Sequence, residues 1–271
     1  MPKKLDLLLA ATVAAGGAAL ALSGRPQRLA LGPPSFGRPP PALAAPSAVP
    51  YVALEAVFGG TPEPAFRSMQ RAVTLEVTGT RVGEHRYRVH EANGWRSVVQ
   101  DSSTHGMPGP PGRPEAAISQ VTDQTLEGPL DLFHLASRSS MTVGRGQASA
   151  DTRVVAISEV QGRLFPLAVG NHLRFQALEG GAVQVGPMTG SPTQPYVYEF
   201  RVTGVEGAYA GSTPAVPGPV YVIEVRRKDL LYGEDGMSEV HYAPALGAAV
   251  RVRTLDGLPT DERLVSWQPA R

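Results

Sequence analysis

The stretch YVYEFRVT, residues 196–203, decides the fold class of this chain. Tyr196, Tyr198, Phe200 and Val202 alternate with Val197, Glu199, Arg201 and Thr203. Consecutive side chains of a β-strand point to opposite faces, so this alternation predicts a strand with one buried face and one wet face. Strands of that kind are typical of antiparallel sheets. We expect Tyr198 and Phe200 to be buried and Glu199 and Arg201 to be exposed.

Similar alternation recurs between Gly and Pro breaks at 73–77, 87–99, 154–160, 250–253 and 265–267. Asn93-Gly94 supplies the positive φ angles that a tight hairpin turn needs. Three Gly/Pro-rich loops are predicted at 102–114, 186–195 and 207–219. The helical signal is limited to short pieces at 61–72 and 129–138. The sequence therefore predicts a mainly β fold, a curved antiparallel sheet or half-barrel with long Gly/Pro loops and one or two short helices.

Residues 1–24 are typical of an export signal. Lys3 and Lys4 precede an uncharged apolar run at 7–22, which is shorter than the roughly 20 apolar residues of a membrane span. The segment is either a cleaved signal peptide, with cleavage after Ala21, Ser23 or Ala44, or an uncleaved anchor. Cleavage leaves no stable membrane span and predicts a periplasmic or secreted protein, whereas retention predicts a membrane-anchored one.

Residues 25–50 form a Pro/Ala-rich segment with eight prolines. Each proline removes a backbone N–H and fixes φ, which prevents helix and sheet formation, so we expect a disordered linker. The antiparallel β domain then spans 51–271. The chain contains no cysteine, and a domain of this length can bury a core without disulfides.

Charge gives no reason to expect a nucleic-acid partner. The formal net charge is +1, and from Ala45 onward it is −3. Nucleic-acid binding depends on dense neutralisation of phosphates by cationic side chains, and only Lys228 and scattered arginines follow Ala45.

The sequence carries no pattern that predicts a catalytic, cofactor-binding or metal-binding residue. Its six histidines lack HExxH spacing, and there is no G-x-S-x-G motif. The acidic residues at 229–239 lack the spacing of a calcium loop, so a solvated hairpin tip is the better interpretation. These patterns weigh against an enzyme without deciding the matter.

Two segments resemble a known family. The run LFPLAVGN, residues 164–171, precedes one predicted strand, and HYAPALG, residues 241–247, lies between two others. In this order they are similar to the "FPL-x-VGN" and "Y-x-P-x-LG" motifs of the TapB-like group of exported bacterial β-proteins of unknown function. The resemblance covers about residues 162–267 and implies a curved antiparallel sheet in the periplasm.

The residues of these segments also have a structural interpretation. We expect Phe165, Leu167 and Val169 to contact the core, Gly170-Asn171 to form a turn, and Tyr242 to point inward.

Three hypotheses about function follow. The first is a binding or carrier module that holds an apolar small molecule or an envelope-derived ligand against Tyr196, Tyr198, Phe200 and Tyr242. The second is a structural or assembly partner of an envelope protein. A hydrolase is the third and the least favoured.

Overall fold

The computed structural model describes residues 51–60, 62–92, 95–104, 120–143, 146–185, 188–191, 193–233, 235–257 and 259–270. The predicted signal or anchor (1–24) and the predicted linker (25–50) lie outside the described residues, as do 105–114 of the first predicted loop.

A single helix and thirteen strands make up the regular structure of the described ranges. They are α1 (Tyr51–Phe58), β1 (Phe66–Leu75), β2 (Thr80–Ala92), β3 (Trp95–Thr104), β4 (Gln120–Glu127), β5 (Ala136–Val143), β6 (Gly146–Arg163), β7 (His172–Val185), β8 (Met188–Gly190), β9 (Thr193–Glu206), β10 (Val220–Asp229), β11 (Asp235–Ala243), β12 (Ala248–Thr254) and β13 (Thr260–Pro269).

All the strands belong to one sheet, in the order β6-β5-β4-β3-β2-β1-β13-β12-β11-β10-β9-β7-β8. The paired strands run antiparallel. β6, the first strand of this order, also pairs with β7, so the sheet curves strongly. The prediction of a mainly β, curved antiparallel sheet is confirmed.

The alternating residues 196–203 lie in strand β9, and three of the four expectations about burial are met. Tyr198 and Phe200 are buried and Arg201 is exposed, as predicted. Glu199 is half-buried instead of exposed, because its carboxylate lies 3.0 Å from His172 Nε2 on the neighbouring strand β7. The face of the sheet that carries Phe200 is called the inner face below.

Both helix predictions were wrong. The range 61–72 contains the start of β1, which pairs with β13 on one side and β2 on the other. The range 129–138 forms one turn, in which Leu132 and Phe133 donate to Pro129 O, followed by β5. Asp131 has a φ of +68°, a left-handed conformation that interrupts a helix. The helix of the described ranges, α1, was not predicted.

The loop predictions had mixed outcomes. The range 186–195 contains the short strand β8 and the start of β9. The range 207–219 is a loop between β9 and β10 with two isolated bridges, Tyr209 to Val216 within the loop and Thr213 to Ser266 of β13.

The first of the two segments that carry the family resemblance, 164–171, contacts the core and forms a turn. Phe165 is buried as predicted, Leu167 is half-buried against the core, and Gly170 has a φ of +91°. Asn171 donates from Nδ2 to Leu164 O (3.0 Å) and to Pro166 O (2.7 Å), which fixes the turn. Val169 is 58% exposed, so its predicted core contact is wrong.

The second family-like segment forms the turn between β11 and β12. Gly247 has a φ of +68° and donates to Ala243 O at 3.0 Å, while Tyr242 is fully buried, as predicted.

No helix in the described ranges is long and apolar enough to cross a membrane.

Candidate functional site

The predicted ligand-binding residues lie on or beside one aromatic cluster of the inner face. Tyr198, Phe200 and Tyr242 are buried, and Tyr196 is half-buried at its margin. Phe200 is stacked 5.9 Å from Phe175 of β7, and Tyr198 is stacked 5.5 Å from the same ring. This stacking follows from the register, which places Leu173 opposite Phe200 and Phe175 opposite Tyr198.

Two short pieces of chain cover this aromatic cluster. The first is α1, whose Phe58 ring lies 5.4 Å from Phe200 and 5.8 Å from Phe175. The second is the loop 128–135, whose Phe133 ring lies 5.1 Å from Phe175 and 4.9 Å from Tyr198. The aromatic cluster is therefore filled by side chains from outside the sheet.

A charged group borders the cluster at Tyr196. The Arg227 guanidinium lies 3.8 Å from the Tyr196 ring centroid and 3.2 Å from Glu179, and Glu179 also accepts a hydrogen bond from the Tyr198 hydroxyl. Burial alone would lower the pKa of Arg227, but Tyr198 and Glu179 outweigh it and raise that pKa above its ordinary value. Burial also raises the pKa of Tyr198. The margin of the cluster is thus polar and carries the Arg227–Glu179 ion pair.

A buried ionic cluster lies elsewhere on the inner face, and sequence reasoning missed it. Arg71 of β1 is fully buried. Its Nη1 and Nη2 donate to Asp131 Oδ1 and Oδ2 at 2.7 and 2.6 Å, and Nη1 also donates to Glu262 Oε1 at 3.2 Å. Tyr87 donates to Glu262 Oε1 at 2.9 Å, and His85 Nδ1 lies 3.1 Å from Glu262 Oε2.

Neighbouring strands bring these residues together. His85 lies opposite Arg71 in the β1–β2 register, and Val73 lies opposite Glu262 in the β1–β13 register. The alternating pattern of β1 places Arg71 on the buried face of the strand. A buried arginine needs buried anionic partners, so this position was the signal from which the ionic cluster could have been predicted.

The cluster strongly favours the charged form of Glu262. Burial alone would raise the pKa of Glu262, but His85 and Arg71 outweigh it and lower the pKa to about 2. Burial alone would lower the pKa of Arg71, yet Asp131 raises it above its ordinary value. A group whose members are mutually neutralised in this way acts as a structural cross-link between β1, β2, β13 and the loop 128–135.

Asp131 shows how firmly the cluster holds that loop. Besides Arg71, its Oδ2 accepts a hydrogen bond from Ala249 N at 3.0 Å, and Arg71 Nη2 donates to Ala249 O at 2.7 Å. A left-handed φ in a residue other than glycine costs free energy, which these carboxylate contacts offset. The same loop carries Phe133, so the ionic cluster positions one of the two covers of the aromatic cluster.

A surface cleft of 530 Å³ lies apart from the predicted site. Its lining includes Met69, Tyr87, Arg88, Asp101 and Trp267, and none of the four predicted residues. Arg88 and Asp101 form a salt bridge there at 2.6 Å. The cleft is therefore separate from the aromatic cluster.

Metal ligation has no geometric support within the described ranges, where no group of three or more His, Cys, Asp or Glu side chains is placed to hold an ion. His241 instead lies 3.1 Å from both Glu206 and Glu239, on the outer side of β11.

Comparison with known proteins finds no matching family model, no similar curated protein and no similar solved structure.

Proposed function

We propose that this chain is an exported, non-catalytic binding or carrier module that holds an apolar or envelope-derived ligand on the inner face of its curved sheet. The observation that carries the proposal is the way the aromatic cluster is covered. Phe58 and Phe133, from a short helix and a loop, occupy the positions against Phe175, Tyr198 and Phe200 that a second sheet occupies in a β-sandwich.

The helix is suited to being displaced. α1 has eight residues, fewer than the 12–15 that an isolated helix needs for even marginal stability in water. Its last residue, Phe58, is joined to the loop after β6 through hydrogen bonds from Leu164 N (3.2 Å) and Phe165 N (2.8 Å) to its carbonyl oxygen. An apolar ligand that replaced the Phe58 ring would regain the same aromatic contacts.

Arg227 gives the ligand a place for a polar end. Its guanidinium lies over Tyr196 at the margin of the aromatic cluster. An amphiphile could pack its apolar part on Tyr198 and direct an anionic group toward Arg227. Membership of the TapB-like group would agree with this function in the cell envelope.

The test is a fluorescence titration of the full chain with N-phenyl-1-naphthylamine, an apolar probe. Phe58→Ala removes one of the two rings that cover the aromatic cluster. Phe66→Ala is the matched control, because Phe66 is equally buried but packs in a separate apolar cluster with Met69 and Leu264. We expect Phe58→Ala to bind the probe more tightly than the wild type and Phe66→Ala. An equal gain in both variants would indicate general loosening and overturn the proposal, as would no gain in either.

A second variant separates a ligand site from a mere void. Tyr198→Ala in the Phe58→Ala background enlarges the space but removes one wall of the site. We expect probe binding to fall back toward the wild-type level, and a further rise would contradict a defined site.

A further inference from the structure

Five of the ten large apolar side chains that are exposed in the described ranges lie at three hairpin turns. They are Val77 in the β1–β2 turn (75% exposed), Leu231 and Tyr232 in the β10–β11 turn (60% and 59%), with Leu230 beside them, and Leu255 in the β12–β13 turn. We call these five residues the apolar tip surface.

The three turns lie side by side at one end of the sheet. The strands they join are consecutive in the order β2-β1-β13-β12-β11-β10, and antiparallel pairing puts all three turns at the same end. Hydrogen bonds of 2.9 Å connect neighbouring turns, from Glu76 N to Pro259 O and from Leu255 N to Met237 O. The exposed apolar residues thus belong to one continuous rim.

Several backbone N–H groups in the described parts of two of these turns have hydrogen-bond partners within the turn. Asp229 Oδ1 accepts hydrogen bonds from Leu231 N (2.8 Å) and Tyr232 N (3.0 Å), and Gly233 N donates to Asp229 O at 2.9 Å. In the β1–β2 turn, Gly79 N donates to Leu75 O at 2.9 Å. Internal satisfaction of backbone groups is what a lipid environment requires, because lipid tails offer them no partners.

The side chains suit the boundary between water and lipid. Leucine and valine favour the acyl region, and tyrosine has an apolar ring with a polar end, the combination that is enriched at membrane interfaces. Charges beside the turns are mixed, since Lys228 and Asp235 are both exposed and Arg253 pairs with Glu76 at 2.6 Å. Binding would therefore be driven by apolar contact rather than by anionic headgroups.

Retention of residues 1–24 in a membrane would bring a bilayer within reach of this surface. If 1–24 is held in a membrane, the 26 residues of the predicted linker span about 80 Å when extended at about 3.1 Å per residue. A ten-residue strand such as β10 is only about 33 Å long. We propose that the apolar tip surface docks onto a lipid bilayer.

The absence of cysteine allows a direct test in the full chain. Single cysteines at Leu231→Cys and Val77→Cys would carry the environment-sensitive dye NBD. Val169→Cys is the matched control, because Val169 is 58% exposed in the β6–β7 loop at the opposite end of the sheet. The labelled chains are mixed with phosphatidylethanolamine–phosphatidylglycerol vesicles, with and without a spin label on the lipid acyl chains.

We expect a blue shift of both tip labels on vesicle addition and their quenching by spin-labelled lipid, with neither effect at position 169. A blue shift without quenching would indicate contact with protein, such as a second copy of the chain, and would overturn the proposal. Equal quenching at position 169 would indicate unspecific adsorption, and no change at the tips would also overturn it. A negative result with the vesicles would not contradict the proposed binding function, because the titration with N-phenyl-1-naphthylamine measures ligand binding on the inner face.

Discussion

Arg71 and Asp131 form a two-pronged salt bridge, with Nη1–Oδ1 and Nη2–Oδ2 distances of 2.7 and 2.6 Å, between β1 and the loop 128–135. The Arg71 side chain is completely buried, and the same loop places Phe133 on Phe175 and Tyr198. One ion pair thus connects the charged and the aromatic parts of the inner face.

Removing the arginine should be strongly destabilising. Arg71→Met leaves the carboxylates of Asp131 and Glu262 buried without their cation, and the loss of one partner of a buried pair typically costs about 3–5 kcal/mol. Urea denaturation followed by circular dichroism measures this cost. Arg67→Met is the control, because Arg67 is exposed on the same strand and should change stability by less than about 0.5 kcal/mol. A similar small change for Arg71→Met would show that the cluster contributes little.

Acid should weaken the fold through Glu262. Its pKa in the folded protein is about 2, below its ordinary value of 4.5, so its contribution is complete above about pH 4.5 and is lost as pH falls toward 2. The lowering corresponds to about 3 kcal/mol. Denaturation midpoints measured across this pH window should fall more steeply for the wild type than for Glu262→Gln. An equal pH dependence of the two denaturation midpoints would contradict the lowered pKa of Glu262.

The centre of the aromatic cluster should be intolerant of truncation. Phe200 is fully buried and its ring lies 5.4 Å from Phe58 and 5.9 Å from Phe175, so Phe200→Ala should cost about 3–5 kcal/mol. Arg201→Ala, on the opposite and exposed face of the same strand, should cost less than about 0.5 kcal/mol. A clearly smaller loss at Phe200, with weaker binding of an apolar probe, would indicate a ligand cavity in place of a packed core.

Substitutions at two glycines distinguish the free-energy cost of backbone strain from that of steric overlap. Gly79 and Gly247 have nearly equal φ angles of +65° and +68°, but an added Cβ meets nothing within 4 Å at Gly79 and lies 2.2 Å from Glu63 O at Gly247. Gly79→Ala should therefore cost only the strain of a left-handed alanine, about 1–2 kcal/mol. Gly247→Ala should cost clearly more, because the segment before β1 must move. Equal denaturation midpoints for the two variants would contradict this difference.

Local pattern was sufficient for several turns and for parts of seven strands, which are β1, β2, β3, β6, β9, β12 and β13. The alternation around Phe200 defines a two-faced strand whatever its neighbours are, because pleating sends consecutive side chains to opposite faces. Gly170 was recognisable as a turn residue for a similarly local reason, since glycine tolerates positive φ. The same local reasoning failed at 129–138, where the carboxylate contacts of Asp131 favour a left-handed residue over a helix.

The sequence alone therefore determined the mainly β class, the inward side of β9 and the presence of tight turns, because these depend on neighbours along the chain. Only the tertiary structure decided what fills the inner face. Phe58 meets Phe175 and Phe200, and Phe133 meets Phe175. Arg71 lies within 3.2 Å of both Asp131 and Glu262, which are 60 and 191 residues away in the chain. Such contacts depend on strand pairing over long separations, which no local pattern of side chains encodes.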